Sequence, residues 1–218
     1  MAASVIVVSA QAGSGGYTIA HQVADSLGLR YYDWEITSEA AARAGVSPTE
    51  VIAAEHVPGF MERMMRRLGA VSSVGVEGSP TFTDPSPAAW GNALQGLSSD
   101  DYRDFISRVV LELADRGDAV VVSHAAQHTL AGRPGVLRVL IHGSLAIRAE
   151  RLAAEQSIEV SQAEAAVRQS DKDRAELLKR LYHFDWADAG MYELALNTDN
   201  LSLDFAVDTI IAAAKAIP

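Results

Sequence analysis

Hydrophobic residues along this chain follow two alternating rhythms. The runs Val5-Ile6-Val7-Val8, Ala119 to Val122 and Val136 to Ile141 are continuous and rich in β-branched residues, the character of strands buried on both faces. Between them the apolar positions recur at helical spacing. Ile19, Ala20, Val23, Ala24 and Leu27 trace a helix stopped by Gly28, and Tyr102, Phe105, Val109, Val110, Leu113 and Ala114 trace a second, ending at Arg116-Gly117. A short helical or loop segment is expected around Gly132-Arg133-Pro134. Ser144 opens a further helix through about Ala154. Ser161 to about Tyr182 reads as another, with Ser161 and Glu164 as a capping box, and Ser47-Pro48-Thr49-Glu50 is a similar start signal earlier on. Short strands are expected at Leu29 to Tyr32 and Tyr192 to Leu196, and a closing helix from Leu203 to Ala216.

Five strands alternating with helices predict a parallel sheet covered on both faces, a three-layer α/β/α architecture in a single domain over residues 1–218. One stretch breaks the pattern. From about residue 70 to 96 Ser, Gly and Pro accumulate, as in Gly78-Ser79-Pro80 and Asp84-Pro85-Ser86-Pro87, so an irregular segment is expected there.

Composition narrows the function classes. The 218 residues carry a formal net charge of −10, which argues against a protein that coats nucleic acid by charge. No apolar run reaches the ~18 residues of a membrane span, and Met1-Ala2-Ala3-Ser4 lacks the basic stretch of a secretory signal. The absence of cysteine excludes disulfides, thiolate metal sites and a cysteine nucleophile, and fits a cytoplasmic location. His124, His128 and His142 lack a carboxylate or cysteine to complete a ligand set, so no metal site is expected from them. The methionine-rich stretch from Phe60-Met61 to Met64-Met65 suits helix packing or a homo-oligomer interface.

The strongest chemical signal is the turn Gly13-Ser14-Gly15-Gly16 between the first strand and the first helix. Glycines there let backbone N–H groups converge on a phosphate at the positive end of a helix dipole, although a tight strand–helix turn has the same glycine requirement. Against the pattern G-x-x-x-x-G-K-[ST], Gly15 matches the second glycine. Gly16 stands at the lysine position, and Tyr17 takes the place of the hydroxyl residue, with Thr18 one further on. Arg148 and Arg151 lie three apart and so share a helix face, where they serve either an anion or a solvated surface paired with Glu150 and Glu155.

Several further segments fall in a recognisable order: Leu27-Gly28-Leu29-Arg30-Tyr31-Tyr32-Asp33-Trp34-Glu35-Ile36, Gly132-Arg133-Pro134-Gly135-Val136-Leu137-Arg138-Val139, Arg148-Ala149-Glu150-Arg151, Asp171-Lys172-Asp173-Arg174 and Leu196-Asn197-Thr198. With Ser9 and the glycine turn, they resemble the cytidylate-kinase-like proteins, relatives of the nucleoside monophosphate kinases within the P-loop superfamily. The resemblance implies sheet order 2-3-1-4-5, ATP and Mg²⁺ as cofactors, and phosphoryl transfer to a CMP-like nucleoside monophosphate. It implies that Gly13, Ser14, Gly15, Gly16, Tyr17 and Thr18 bind the donor phosphates. Arg148, Arg151, Lys172 and Arg174 would stabilise the moving group, with a lid at about residues 155–175. Asp33, Trp34 and His124 would face the acceptor.

The departures are as informative. Relatives follow the glycine turn with Arg where this chain has Tyr17, and carry Gly-Arg-Gly where it has Ser123-His124-Ala125. Two cations are thus missing beside the absent lysine. The alternative is a catalytically degenerate P-loop protein that binds a nucleotide or phosphorylated ligand as a sensor or scaffold. A phosphate-blind interaction module using residues 70–96 is a third reading.

Overall fold

The computed structural model describes residues 3–33, 99–123 and 125–218. In chain order these form β1 (Val5–Ala10), α1 (Gly16–Leu27), β2 (Arg30–Tyr32), α2 (Ser99–Arg116), β3 (Ala119–Val122), α3 (Ala126–Thr129), β4 (Val136–His142), α4 (Leu145–Gln156), α5 (Val160–Tyr182), β5 (Leu194–Asn197) and α6 (Leu203–Ala216). The expected capping box at Ser47, the methionine-rich stretch, residues 70–96, Trp34 and His124 lie outside the described residues.

The five strands form one parallel sheet in the order β2-β3-β1-β4-β5. β1 is central, and its unbroken apolar run is explained by burial on both faces. Because successive side chains alternate, Val5 and Val7 enter one core with Val109, Val110 and Leu113 of α2 and Leu178 and Leu181 of α5. Ile6, Val8 and Ala10 enter the other, with Ile19 and Val23 of α1 and Ile210 of α6. Helices on both faces complete the three layers. The chain fills β2 and β3 on one side of β1 and β4 and β5 on the other. The carboxyl end of β1 is therefore a topological switch point, where open α/β sheets bind ligands.

Two boundaries differ from the sequence expectation. α5 starts at Val160 with Glu159 as its N-cap and no capping side chain, so Ser161 and Glu164 do not form a capping box. Glu164 instead accepts from Arg168 one turn later, at 2.7 Å. β5 begins at Leu194 rather than Tyr192, because its ladder with β4 starts at the Val139–Leu194 pair. Among the described residues no helix is long and apolar enough to cross a membrane.

α4 and α5 form a helical hairpin with a small core of their own, made by Ala149, Leu152, Ala153, Ala163 and Val167. The second half of α5 then joins the main core through Leu178 and Leu181. The expected lid region, residues 155–175, covers the hairpin turn and the part of α5 that precedes this junction.

Candidate functional site

The glycine turn sits at the carboxyl end of β1. Gly13 and Gly15 adopt φ of 76° and 78°, the left-handed region open to glycine. Space is as restrictive as conformation. A Cβ on Gly13 would lie 2.2 Å from the backbone oxygen of Arg148, and one on Gly16 would lie 2.2 Å from Ala10 Cβ. Gly16 thus lets α1 pack directly on β1. Gly15 is the N-cap of α1 and has no side chain to cap it, leaving the orphan N–H groups of the first turn without a side-chain acceptor. Ser14 is fully buried, and its Oγ has no hydrogen-bond partner. An anion seated in the turn meets both needs, so the turn fits the phosphates of a nucleotide. Tyr17 and Thr18, the next two residues, are exposed.

The two arginines of α4 are close to this turn and fully engaged in framing it. Arg148 is only 4% exposed. Its Nε donates to the carbonyl of Gly143 at 2.9 Å, and Nη1 donates to the carbonyl of Ala12 at 3.2 Å. Its guanidinium also grips Asp171 of α5 through two bonds, of 3.1 and 2.7 Å. Arg151 donates from Nη1 to Thr198 Oγ1 at 2.9 Å, and from Nη2 to the Thr198 carbonyl. Thr198, fully buried after β5, donates its hydroxyl to the carbonyl of Ser14 at 3.0 Å.

Arg174 reaches the same place from α5. Its Nη1 donates to the carbonyl of Ala10 at 2.7 Å and Nη2 to Ser9 Oγ at 2.8 Å, with the guanidinium 4.3 Å from the centre of the Trp186 ring. Burial lowers its pKa, while Tyr17, Tyr192, Asp171 and Asp33 push it back up. Of these, Asp171 and Asp33 carry the negative charge that acts on the guanidinium at neutral pH. Asp33 stands at the carboxyl end of β2, partly buried. Tyr192 closes the underside: its hydroxyl donates to the Trp186 carbonyl at 2.7 Å, and burial raises its pKa.

The structure thus brings together the glycine turn, Arg148, Arg151, Arg174 and the negative field of Asp33. Lys172 lies apart, two-thirds exposed and 3.8 Å from Glu176 on the solvent side of α5. Trp34 and His124 lie outside the described residues. Sequence reasoning gave no role to Asp171, Thr198, Ser9 or Tyr192, and read Trp186 only as a packing or interface residue; it is buried and packs on Arg174. Asp171 and Thr198 stood within quoted segments, but their partners come from other elements and spacing does not reveal them. Gln127, fully buried beside Tyr192, was also unmarked.

Comparison with known proteins bears on the family and the fold. A family model described as the cytidylate kinase-like family matches residues 5–200. A cytidylate kinase from Natronomonas pharaonis is 24% identical over 214 residues, covering 97% of this chain and 90% of that protein. One from Methanopyrus kandleri is 28% identical over 116 residues, 50% of this chain and 60% of that protein. Among solved structures, an uncharacterized protein from Eubacterium ventriosum superposes with a TM-score of 0.65 at 16% identity, covering 96% of this chain and 97% of that one, a likeness of fold.

Proposed function

Because the chain belongs to the cytidylate kinase-like family, we propose that it transfers the terminal phosphoryl group of ATP to a nucleoside monophosphate, CMP being the acceptor that the relatives' name suggests. The observation that carries this reading is the convergence at the end of β1: an uncapped helix start with a buried orphan hydroxyl on one side, and the Arg174 guanidinium on Ser9 and Ala10 on the other.

The reaction needs in-line positioning and positive charge on the oxygens of the moving group. An acceptor phosphate oxygen attacks the γ-phosphorus, the bond to the β–γ bridging oxygen breaks, and ADP leaves with that electron pair. Gly13, Ser14, Gly15, Gly16 and the first turn of α1 through Thr18 hold the donor phosphates by their backbone N–H groups. In this reading Arg174 meets the moving group, since it already borders the end of β1 and its guanidinium lies against the Trp186 ring. Asp33 serves the acceptor side. Mg²⁺ is held in such sites by one or two carboxylates together with substrate phosphates, so Asp33 and the nucleotide form a fitting donor set, and the ion would neutralise phosphate charge.

One observation favours a second reading, nucleotide binding without turnover. Ala10 fills the space that a side chain at Gly16 would need, so the loop itself contributes no lysine. Calorimetric titration with MgATP and with CMP, paired with a coupled ADP-release assay on the same sample, separates the two. Binding with turnover is the expected result. Binding without turnover selects the second reading, and no binding of either nucleotide sinks both.

A further inference from the structure

We propose that Arg148 is a positioning residue for the phosphate loop rather than a ligand of the moving phosphoryl group, and that Asp171 is the partner it requires for this. The proposal rests on the phosphoryl-transfer reading for its kinetic test, though not for its structural one. Arg148 is buried, and a single planar guanidinium joins three separate pieces of chain: the loop carbonyl of Ala12, the β4–α4 turn at Gly143, and the carboxylate of Asp171 on α5. The loop rests on residue 148 from the other direction as well, because Gly13 is packed against its backbone oxygen.

The arrangement has a consequence for anion binding. A loop carbonyl turned toward a phosphate would repel it, and the Ala12 carbonyl is committed to the guanidinium. The Ser14 carbonyl is committed likewise to Thr198, itself held by Arg151. Two carbonyls of the loop are thereby fixed by groups behind it, and the N–H groups of the helix start are left to the ligand. Asp171 adds a second effect. It lies three residues before Arg174 on the same helix, so the grip of Arg148 on Asp171 also sets the position from which Arg174 reaches Ser9 and Ala10. One carboxylate thus aligns both halves of the site.

Three variants test this: Asp171→Asn, which keeps the shape but weakens the grip; Arg148→Lys, whose point charge cannot span three partners; and the double apolar variant Arg148→Met with Asp171→Leu, which removes the buried pair without leaving a lone charge. Asp171→Asn and Arg148→Lys are expected to fold, to lower kcat about tenfold or more, and to weaken MgATP binding by a similar factor, as misplaced groups do. The double variant is expected to regain thermal stability without regaining MgATP affinity. A purely structural pair would instead recover both together, and that result overturns the proposal. Amide hydrogen exchange of residues 12–16 in the absence of nucleotide gives an independent readout. Faster exchange in Asp171→Asn, confined to that loop, is expected, and unchanged exchange would contradict the proposal even if the wild-type protein turned over no nucleotide. Wild-type turnover with unaffected variants sinks the positioning role alone, whereas absence of wild-type nucleotide binding sinks the proposed function.

Discussion

At the scale of single residues, the site is defined by what cannot be placed in it. Gly13 combines a positive φ with a Cβ position already occupied by the Arg148 backbone oxygen. Gly13→Ala is expected to destabilise the fold by about 3 kcal/mol, from strain and overpacking together, and denaturant unfolding measures this. Gly16→Lys would restore the lysine of the common phosphate-loop pattern, yet its Cβ would meet Ala10 Cβ. The expected outcome is a loss of about 2 kcal/mol in the same measurement and no gain in turnover. A more active, fully folded Gly16→Lys protein would show that the loop had simply lost a useful residue. Arg174 is the counterpart: Arg174→Ala should lower kcat about 10²–10³-fold while nucleotide still binds, the loss typical of removing one charge-stabilising group. Arg174→Lys should recover only part of it, because the two bonds to Ser9 and Ala10 and the contact with Trp186 use the planar fork.

At the scale of elements, the α4–α5 hairpin has its own small core and meets the phosphate loop largely through side chains, chiefly Arg148 and Arg174. The hairpin turn and the first half of α5 lie outside the main core, and such a segment can adjust when a ligand engages it, as the proposed lid would require. The far edge of the sheet is joined differently. Arg138 of β4 donates from both its guanidinium and its backbone N–H to Glu193, just before β5. Burial raises the Glu193 pKa, but those bonds outweigh it and hold the carboxyl below the usual glutamate range. The stabilisation is therefore present above the ordinary glutamate value and fades as pH falls through the lower, folded-state value. Glu193→Gln should cost about 1 kcal/mol at neutral pH, a modest figure because the pair is partly exposed, and the difference from wild type should shrink in acid. Unfolding curves at pH 7 and pH 3 test the sign.

At the scale of the whole molecule, much was legible in the sequence because local chemistry and tertiary burial point the same way. The run Val5 to Val8 has the β-branched character of a doubly buried strand, and the glycine turn behind it marked the start of α1. The helix starting at Ser144 was equally plain, since its hydroxyl caps Ile147. Ser161 misled because a cap and a first-turn serine look alike in sequence, and the chain enters α5 two residues earlier. The arginines were recognisable as a group but not in their division of labour. Whether an arginine meets a phosphate or a carboxylate depends on partners some 20 to 160 residues away, as with Asp171 for Arg148 and Ser9 for Arg174. The −10 charge of the chain likewise gave no hint of the proposed phosphate site, because the groups that would build it are backbone N–H donors and a few guanidiniums in the second half of the chain.

The central claim is that these groups suffice for catalysis without a loop lysine. Incubation of the protein with MgATP and CMP, with the nucleotides separated and quantified over time, tests it most directly. The account predicts stoichiometric appearance of CDP and ADP in the wild-type protein, at a rate about 10²–10³-fold lower in Arg174→Ala. Wild-type protein that binds MgATP and CMP yet forms no CDP would contradict it.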